Sequence, residues 1–178
     1  LMKSAIYLKN MNGPFMRQSA DDWKHLFFAQ AYALLSSKET LIYFSNGTLR
    51  ALSKESGKLL WKKSLGYIPT TSVDTTQSTI VVTKLDKCLE GYDLKTGKKL
   101  WRRSVPHLLL PRLFKSSPKN MTCVTHKGDF YTFAAETGKL ISQVQAPEVA
   151  VTSLEVVNGK AYFGTVDGAL MAVKLNLS

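Results

Sequence analysis

Short apolar runs alternate with turn-forming residues along most of this chain, and the pattern returns at a regular interval. The segment ALSKESGKLLWKK at residues 51–63 is followed by GYDLKTGKKLWRR at residues 91–103 and by the shorter TFAAETGKLIS at residues 132–142. A fourth copy opens at Gly168. A period of about 40 residues is typical of stacked supersecondary units, so the repeat indicates the fold class before any local propensity is considered.

Each repeat predicts short β-strands joined by tight hairpins. In the first repeat the apolar runs lie at residues 27–35, 41–44, 48–52 and 58–63, with the turns Asn46-Gly47 and Ser56-Gly57 between the later runs. Such turns favour antiparallel hairpins, and the chain lacks the 3.6-residue periodicity that helical repeats need. The innermost strands of the following repeats are expected near residues 68–74, 108–114 and 149–154. We therefore predict an all-β fold, a β-propeller of four-stranded antiparallel blades.

The repeat resembles that of the PQQ-like, or quinoprotein alcohol dehydrogenase-like, β-propeller family. The resemblance spans residues 27–178 and rests on an Asp/Asn-Gly-x-Leu-x-Ala-Leu motif followed by Ser/Thr-Gly-Lys-x-Leu-Trp. It implies that the tryptophans dock between adjacent blades and that the turn glycines are structural, which gives the docking set Trp61, Trp101, Gly57, Gly97 and Gly138. Ser142 stands where the third tryptophan would be, so we expect the third seam to lose about 3 kcal/mol of apolar contact.

The repeat also predicts the domain organisation. Blades are expected at residues 27–65, 66–106, 107–147 and 148–178, the last of them incomplete. Residues 1–26 admit two interpretations, a partial preceding blade or an extension. About four blades is the lower limit for a propeller. We therefore expect this chain to form part of a larger ring or of a ring that another chain completes.

The net charge of +11 draws attention to one strand of the second repeat. Its densest cationic segment contains Lys95, Lys98, Lys99, Arg102 and Arg103. The segment is interpreted either as a patch for RNA, anionic lipid or an acidic partner, or as a charged edge strand that blocks aggregation between sheets. Its position on the outer strand favours the second interpretation.

Cysteines and glycosylation motifs bear on the cellular compartment. Cys88 and Cys123 fall in neighbouring repeats, and we expect both to be free thiols, which leaves the redox compartment open. Acceptor triplets begin at Asn46, Asn120 and Asn176, and Asn46 and Asn120 are the candidate glycosylation sites. They favour a secretory-pathway lumen or a periplasm over the cytoplasm or an organelle matrix. The sequence contains no run of 18 apolar residues that would predict a transmembrane segment.

The catalytic signals of a PQQ-type enzyme are absent from the sequence. The resemblance implies that such an enzyme would need a quinone, a divalent cation, a carboxylate base and a disulfide between adjacent cysteines, and no adjacent cysteines occur. Glu55, Asp93 and Glu136 lie beside the Gly-Lys turns, where carboxylates commonly cap the backbone. His25, His107 and His126 lack zinc-ligand spacing. We therefore predict no catalytic, cofactor-binding or metal-binding residues.

Three functional hypotheses follow. The first is a non-enzymatic scaffold for protein–protein interaction within a larger assembly, whose partners are other subunits or the rest of the same propeller. The second is a fragment of a quinone-dependent dehydrogenase whose catalytic blades lie outside this chain. The third is a basic RNA-associated or ribosome-associated subunit, which is less favoured because no known RNA-binding motif accompanies the charge.

Overall fold

A computed structural model describes residues 31–45, 47–66, 73–84, 87–146, 150–165 and 168–175. Across these residues the secondary structure consists of β-strands and turns, without a helix. The chain divides into two compact units, Leu1–Ile68 and Pro69–Ser178. The first contains one described sheet and the second contains three, so the all-β prediction is confirmed.

The strands form consecutive antiparallel meanders. The first unit holds the sheet β1 (Ala31–Ser36), β2 (Thr40–Ser45), β3 (Thr48–Ser53) and β4 (Leu59–Ser64). The second unit begins with β5 (Val73–Thr75), β6 (Thr79–Lys84), β7 (Cys88–Asp93) and β8 (Lys99–Ser104). It continues with β9 (Leu109–Lys115), β10 (Asn120–Thr125), β11 (Asp129–Ala134) and β12 (Leu140–Gln145), and then with β13 (Ala150–Val157), β14 (Lys160–Thr165) and β15 (Leu170–Lys174).

The inner strands of the four-stranded sheets are largely buried, whereas β14 of the fourth sheet alternates between buried and exposed residues. All six residues of β2 and nearly all of β6 and β7 are buried, whereas β4 and β8 are exposed apart from their tryptophans. This agrees with the sequence pattern: the buried strands are rich in apolar residues, while the outer strands β4 and β8 carry lysines or arginines.

The Gly-Lys turn before each outer strand requires glycine. Gly57, Gly97 and Gly138 have φ angles of 68°, 69° and 65°, in the left-handed region that other residues rarely adopt. Each donates its N–H to the carbonyl oxygen four residues earlier, at 2.8–2.9 Å. The repeated Gly-Lys motif therefore encodes a particular backbone turn between the third and fourth strands.

A β-bulge recurs in the outer strand of every four-stranded sheet. In the second sheet Trp101 pairs with Gly91 and Lys99 pairs with the next residue, Tyr92, which leaves Leu100 as the extra residue. The same shift leaves Leu60 and Ile141 as the extra residues in the first and third sheets. An extra residue breaks the two-residue alternation of side chains. The bulge therefore places Lys99 and Trp101, two positions apart, on opposite faces of the sheet.

Pro111 falls in another irregular stretch. Leu113 pairs with Cys123 and Leu109 pairs with Thr125, so three residues of β9 lie opposite a single residue of β10. Proline cannot donate a hydrogen bond to a sheet and is accommodated at such bulges. Strand β9 nevertheless continues through the proline.

Candidate functional site

Trp101 joins the second and third sheets. Its side chain is buried, and its indole Nε1–H donates to the carbonyl oxygen of Ala135 in the third sheet at 2.7 Å. It belongs to an apolar cluster that combines Val81 and Leu89 of its own sheet with Leu113, Met121, Cys123, Tyr131 and Phe133 of the next. We call this contact the tryptophan seam.

Two glycines make room for the indole ring. A Cβ atom on Gly91 would lie 2.2 Å from Cε2 of Trp101, and one on Gly138 would lie 2.5 Å from its Cδ2. Neither distance is compatible with a real side chain. Gly91 lies opposite Trp101 on β7, and Gly138 belongs to the third sheet, so the ring is held between the two sheets. Gly138 thus has two roles, in its own turn and as a wall of the tryptophan seam.

The seam between the third and fourth sheets is built differently. Ser142 pairs with Thr132, the positions that correspond to Trp101 and Gly91. Phe130 and Phe163 fill the interface with ring centroids 5.4 Å apart, in an apolar cluster that also contains Val124, Ala146, Ala161 and Leu175. We call this the phenylalanine seam. The expected loss of a large apolar contact at Ser142 is therefore accompanied by an aromatic pair elsewhere in the same interface.

Trp61 occupies the equivalent position in the first sheet. It pairs with Ala51 and is half-buried, in contrast to the buried Trp101. Its role in docking against a neighbouring blade stays a prediction, as do the blade limits.

The five residues of the predicted basic patch have different surroundings. The Nζ of Lys99 lies 2.8 Å from Oε1 of Glu90, a side chain that is only 2% exposed. Arg103 donates from Nε to the carbonyl oxygen of Gly138 at 2.9 Å, and Arg102 donates from Nη2 to Sγ of Cys88 at 3.3 Å. Lys95 and Lys98 are exposed. Three of the five cations therefore have structural contacts in addition to any binding role.

Sequence analysis missed the buried carboxylate of Glu90. It accepts hydrogen bonds from Lys99 and from the hydroxyl of Tyr92, at 2.8 and 2.5 Å, and Lys84 lies 4.0 Å away. A buried carboxylate needs such partners because leaving it unpaired is costly. The available signal was a glutamate in the middle of a predicted buried strand, with Lys84 at the end of the preceding strand and Lys99 at the start of the following one.

The carboxylates near the Gly-Lys turns behave unequally. Asp93 accepts from the backbone N–H and the hydroxyl of Thr96 at 2.8 and 2.6 Å, and these hydrogen bonds hold its pKa below the usual range. Glu136 instead accepts from the hydroxyl of Ser78, at 2.8 Å, and so links the third sheet to the second. In the first sheet the capping oxygen belongs to Ser53. The capping prediction is thus right for Asp93 and wrong for Glu136.

The two cysteines are free, as predicted, and both are buried. They lie in the separate strands β7 and β10, and burial raises the pKa of the Cys123 thiol. They form no adjacent pair, and within the described ranges no group of three or more His, Cys, Asp or Glu side chains could hold a metal ion. These residues do not fit the quinone and cation site that the resemblance would require of an enzyme.

The remaining candidates are placed as follows. His107 and His126 form an edge-to-face pair with centroids 5.8 Å apart, and His25 lies outside the described residues. Asn120 is half-buried at the start of β10, and Thr122 of its triplet is buried and hydrogen-bonded to Thr132, at 2.8 Å. Asn46 and Asn176 lie outside the described residues.

In the part of the chain that the structure covers, no helix is long and apolar enough to cross a membrane.

In the second unit, consecutive antiparallel meanders pack face to face, which is the arrangement of blades in a β-propeller. A family model described as outer membrane protein assembly factor BamB, which is based on the PQQ-like repeat, matches residues 19–122 and again residues 89–176. The chain belongs to this family, which confirms the resemblance and the propeller class.

Solved structures with the same fold include natural and designed proteins. BamB from Moraxella catarrhalis superposes with a TM-score of 0.71 at 13% identity, over 86% of this chain and 49% of BamB. The computationally designed Ika4 protein gives 0.70 at 18% identity, over 90% of this chain and 99% of Ika4. The designed Ika8 protein gives 0.65 at 18% identity, over 82% and 46%. This chain thus spans about half of BamB and Ika8, and no curated protein sequence matches it significantly.

Proposed function

We propose that this chain is a non-enzymatic propeller scaffold that binds other proteins within a larger assembly. The observation that carries the proposal is the structural use of its polar groups. The carboxylates of Glu90, Asp93 and Glu136 each accept hydrogen bonds from neighbouring strands or turns. Carboxylates engaged in this way stabilise the blades. A rigid frame with exposed outer strands and loops suits protein binding better than catalysis.

The family description supports the proposal. The matching family is described as the outer membrane protein assembly factor BamB. Assembly factors act by contacting other proteins. We extend that mode of action, and not the particular assembly, to this chain.

Photo-crosslinking in the source cells tests the proposal. A photoreactive amino acid at the exposed positions Leu100 or Leu108 should yield discrete adducts with another protein, whereas the same residue at the buried Leu89 should yield none. The tagged full-length protein should then elute with that partner in a defined stoichiometry. A compact, cooperatively folding monomer without adducts at any exposed position would contradict the scaffold function.

The dehydrogenase alternative has a separate test. The full-length protein is incubated with PQQ, Ca²⁺ and an alcohol, and reduction of an artificial electron-accepting dye is followed. The scaffold proposal predicts no reduction above that of a propeller of the same size without the repeat. Saturable reduction that requires the quinone would overturn it.

A further inference from the structure

Cations and exposed leucines occur on the outer strands of both sheets that share the tryptophan seam. Leu100 on β8 and Leu140 on β12 are 44% and 46% exposed. Arg103 of β8 connects the two sheets, because its Nε donates to the carbonyl oxygen of Gly138, two residues before Leu140. Lys98 and Lys139, each beside one of these strands, are exposed as well. We call this surface the seam strip and define it as Lys98, Leu100, Arg103, Lys139 and Leu140.

Cations outnumber carboxylates along the two segments of the strip: the one carboxylate in residues 94–104 and 135–142 is Glu136, which accepts a hydrogen bond from Ser78. Residues 94–104 contain five cations and no carboxylate. Lys99 is the cation held on a buried carboxylate, that of Glu90, and it is not part of the strip. Arg103 contacts carbonyl oxygens, which are neutral and leave its charge in place. The strip therefore presents an attractive field for an anionic group.

Cations are not present on every outer strand of this fold. β12 is the outermost strand of the third sheet, as β8 is of the second, yet its sequence LISQVQ contains no charged residue. An outer strand of this fold can therefore form without charged residues. Exposed leucines on an outer strand would also work against protection from aggregation, because they add apolar surface where another chain could bind.

We infer that the seam strip binds an acidic segment of a partner protein that also carries apolar side chains. The inference rests on the proposed scaffold function and adds the chemistry of the partner. Lysine and arginine attract the carboxylates, and the two leucines receive the apolar side chains. RNA and lipid headgroups would use the cations but would gain little from the leucines.

The test uses the full chain and a short fluorescein-labelled peptide in which Leu and Glu alternate. Fluorescence anisotropy should detect binding, and Lys98→Glu with Lys139→Glu should weaken it about tenfold or more, by charge repulsion. Leu100→Ser with Leu140→Ser should also weaken it about tenfold, by loss of apolar contact. Circular dichroism checks that each variant remains folded.

Matched controls lie in the fourth sheet. Lys160 and Lys174 are exposed and face each other across β14 and β15, so Lys160→Glu with Lys174→Glu changes the net charge equally. The exposed Val157 and Leu170 provide Val157→Ser with Leu170→Ser as the apolar control. Both control pairs should change the dissociation constant by less than about twofold.

Other outcomes overturn the inference. Equal weakening by the fourth-sheet charge variants would mean that net charge alone attracts the peptide. Binding of a uridine oligonucleotide or of phosphatidylglycerol vesicles in preference to the peptide, unaffected by the leucine substitutions, would assign the strip to RNA or membrane. If the crosslinked partner binds elsewhere and the peptide does not bind, the assignment of the seam strip as a binding surface is wrong, but the proposed scaffold function is not contradicted.

Discussion

The two seams of the second unit solve one packing problem in different ways. In the tryptophan seam a single indole fills the space, and Gly91 and Gly138 lack the side chains that would collide with it. In the phenylalanine seam the small Ser142 faces Thr132, and the ring contact is made by Phe130 and Phe163. The comparison teaches that the residues at two paired positions differ together between the seams, and that the motif tryptophan is not replaced alone.

Removal of the indole should produce the largest effect. Trp101→Ala deletes a buried ring and leaves the carbonyl oxygen of Ala135 without this donor. We expect the free energy of unfolding to fall by about 3–5 kcal/mol. Urea denaturation followed by far-ultraviolet circular dichroism measures it. A loss below about 1 kcal/mol would mean that the ring does not hold the seam.

The phenylalanine seam should respond to a different residue. Phe163→Ala should lower the free energy of unfolding by about 3 kcal/mol, because Phe163 is buried against Phe130. Urea denaturation again gives the value. Tyr162→Ala is the matched control, since the neighbouring aromatic is 39% exposed and should matter much less. Equal losses for the two variants would refute the assignment of the aromatic pair to the seam.

The turn before the tryptophan strand should make stability depend on pH. The folded-state pKa of Asp93 is lowered by hydrogen bonds from Thr96, so its contribution is present above the unfolded pKa of about 4 and is lost as pH falls through the folded value. Asp93→Asn should keep the turn but remove this dependence, whereas Asp93→Ala should cost about 1 kcal/mol at neutral pH. Urea titrations from pH 7 to about pH 3 measure both. An unchanged pH profile for Asp93→Asn would contradict this account.

The smallest effect is expected at Ser142. Its hydroxyl oxygen is buried without a hydrogen-bond partner, whereas the hydroxyls of Thr122 and Thr132 pair at 2.8 Å. Ser142→Ala should therefore be neutral or stabilise the protein by up to about 1 kcal/mol, and Thr132→Val should destabilise it by about 1–3 kcal/mol. Thermal denaturation of both variants distinguishes the two hydroxyls. A destabilised Ser142→Ala would show that this hydroxyl has a structural partner.

Much of the fold could be predicted because the repeat consists of residues with local structural preferences. The left-handed turn at Gly97 needs glycine, and the apolar runs define the buried strands. Partners across a seam could not be predicted, because Trp101 meets Gly138, and Phe130 meets Phe163, only when two sheets pack together. The contact of Lys99 with Glu90 also required the structure, since it depends on which face the bulge gives to the Lys99 side chain.

The central claim is that Gly91 with Trp101, and Thr132 with Ser142, are alternative solutions at equivalent positions. A double-mutant cycle with Gly91→Thr and Trp101→Ser tests it by transplanting the second pair into the first seam. Each single variant should be destabilised, Gly91→Thr by the collision with the ring and Trp101→Ser by the lost ring. The double variant should be more stable than the sum of the two losses predicts, by about 1–3 kcal/mol in urea denaturation. Strictly additive losses would contradict the claim that the two positions act as a pair.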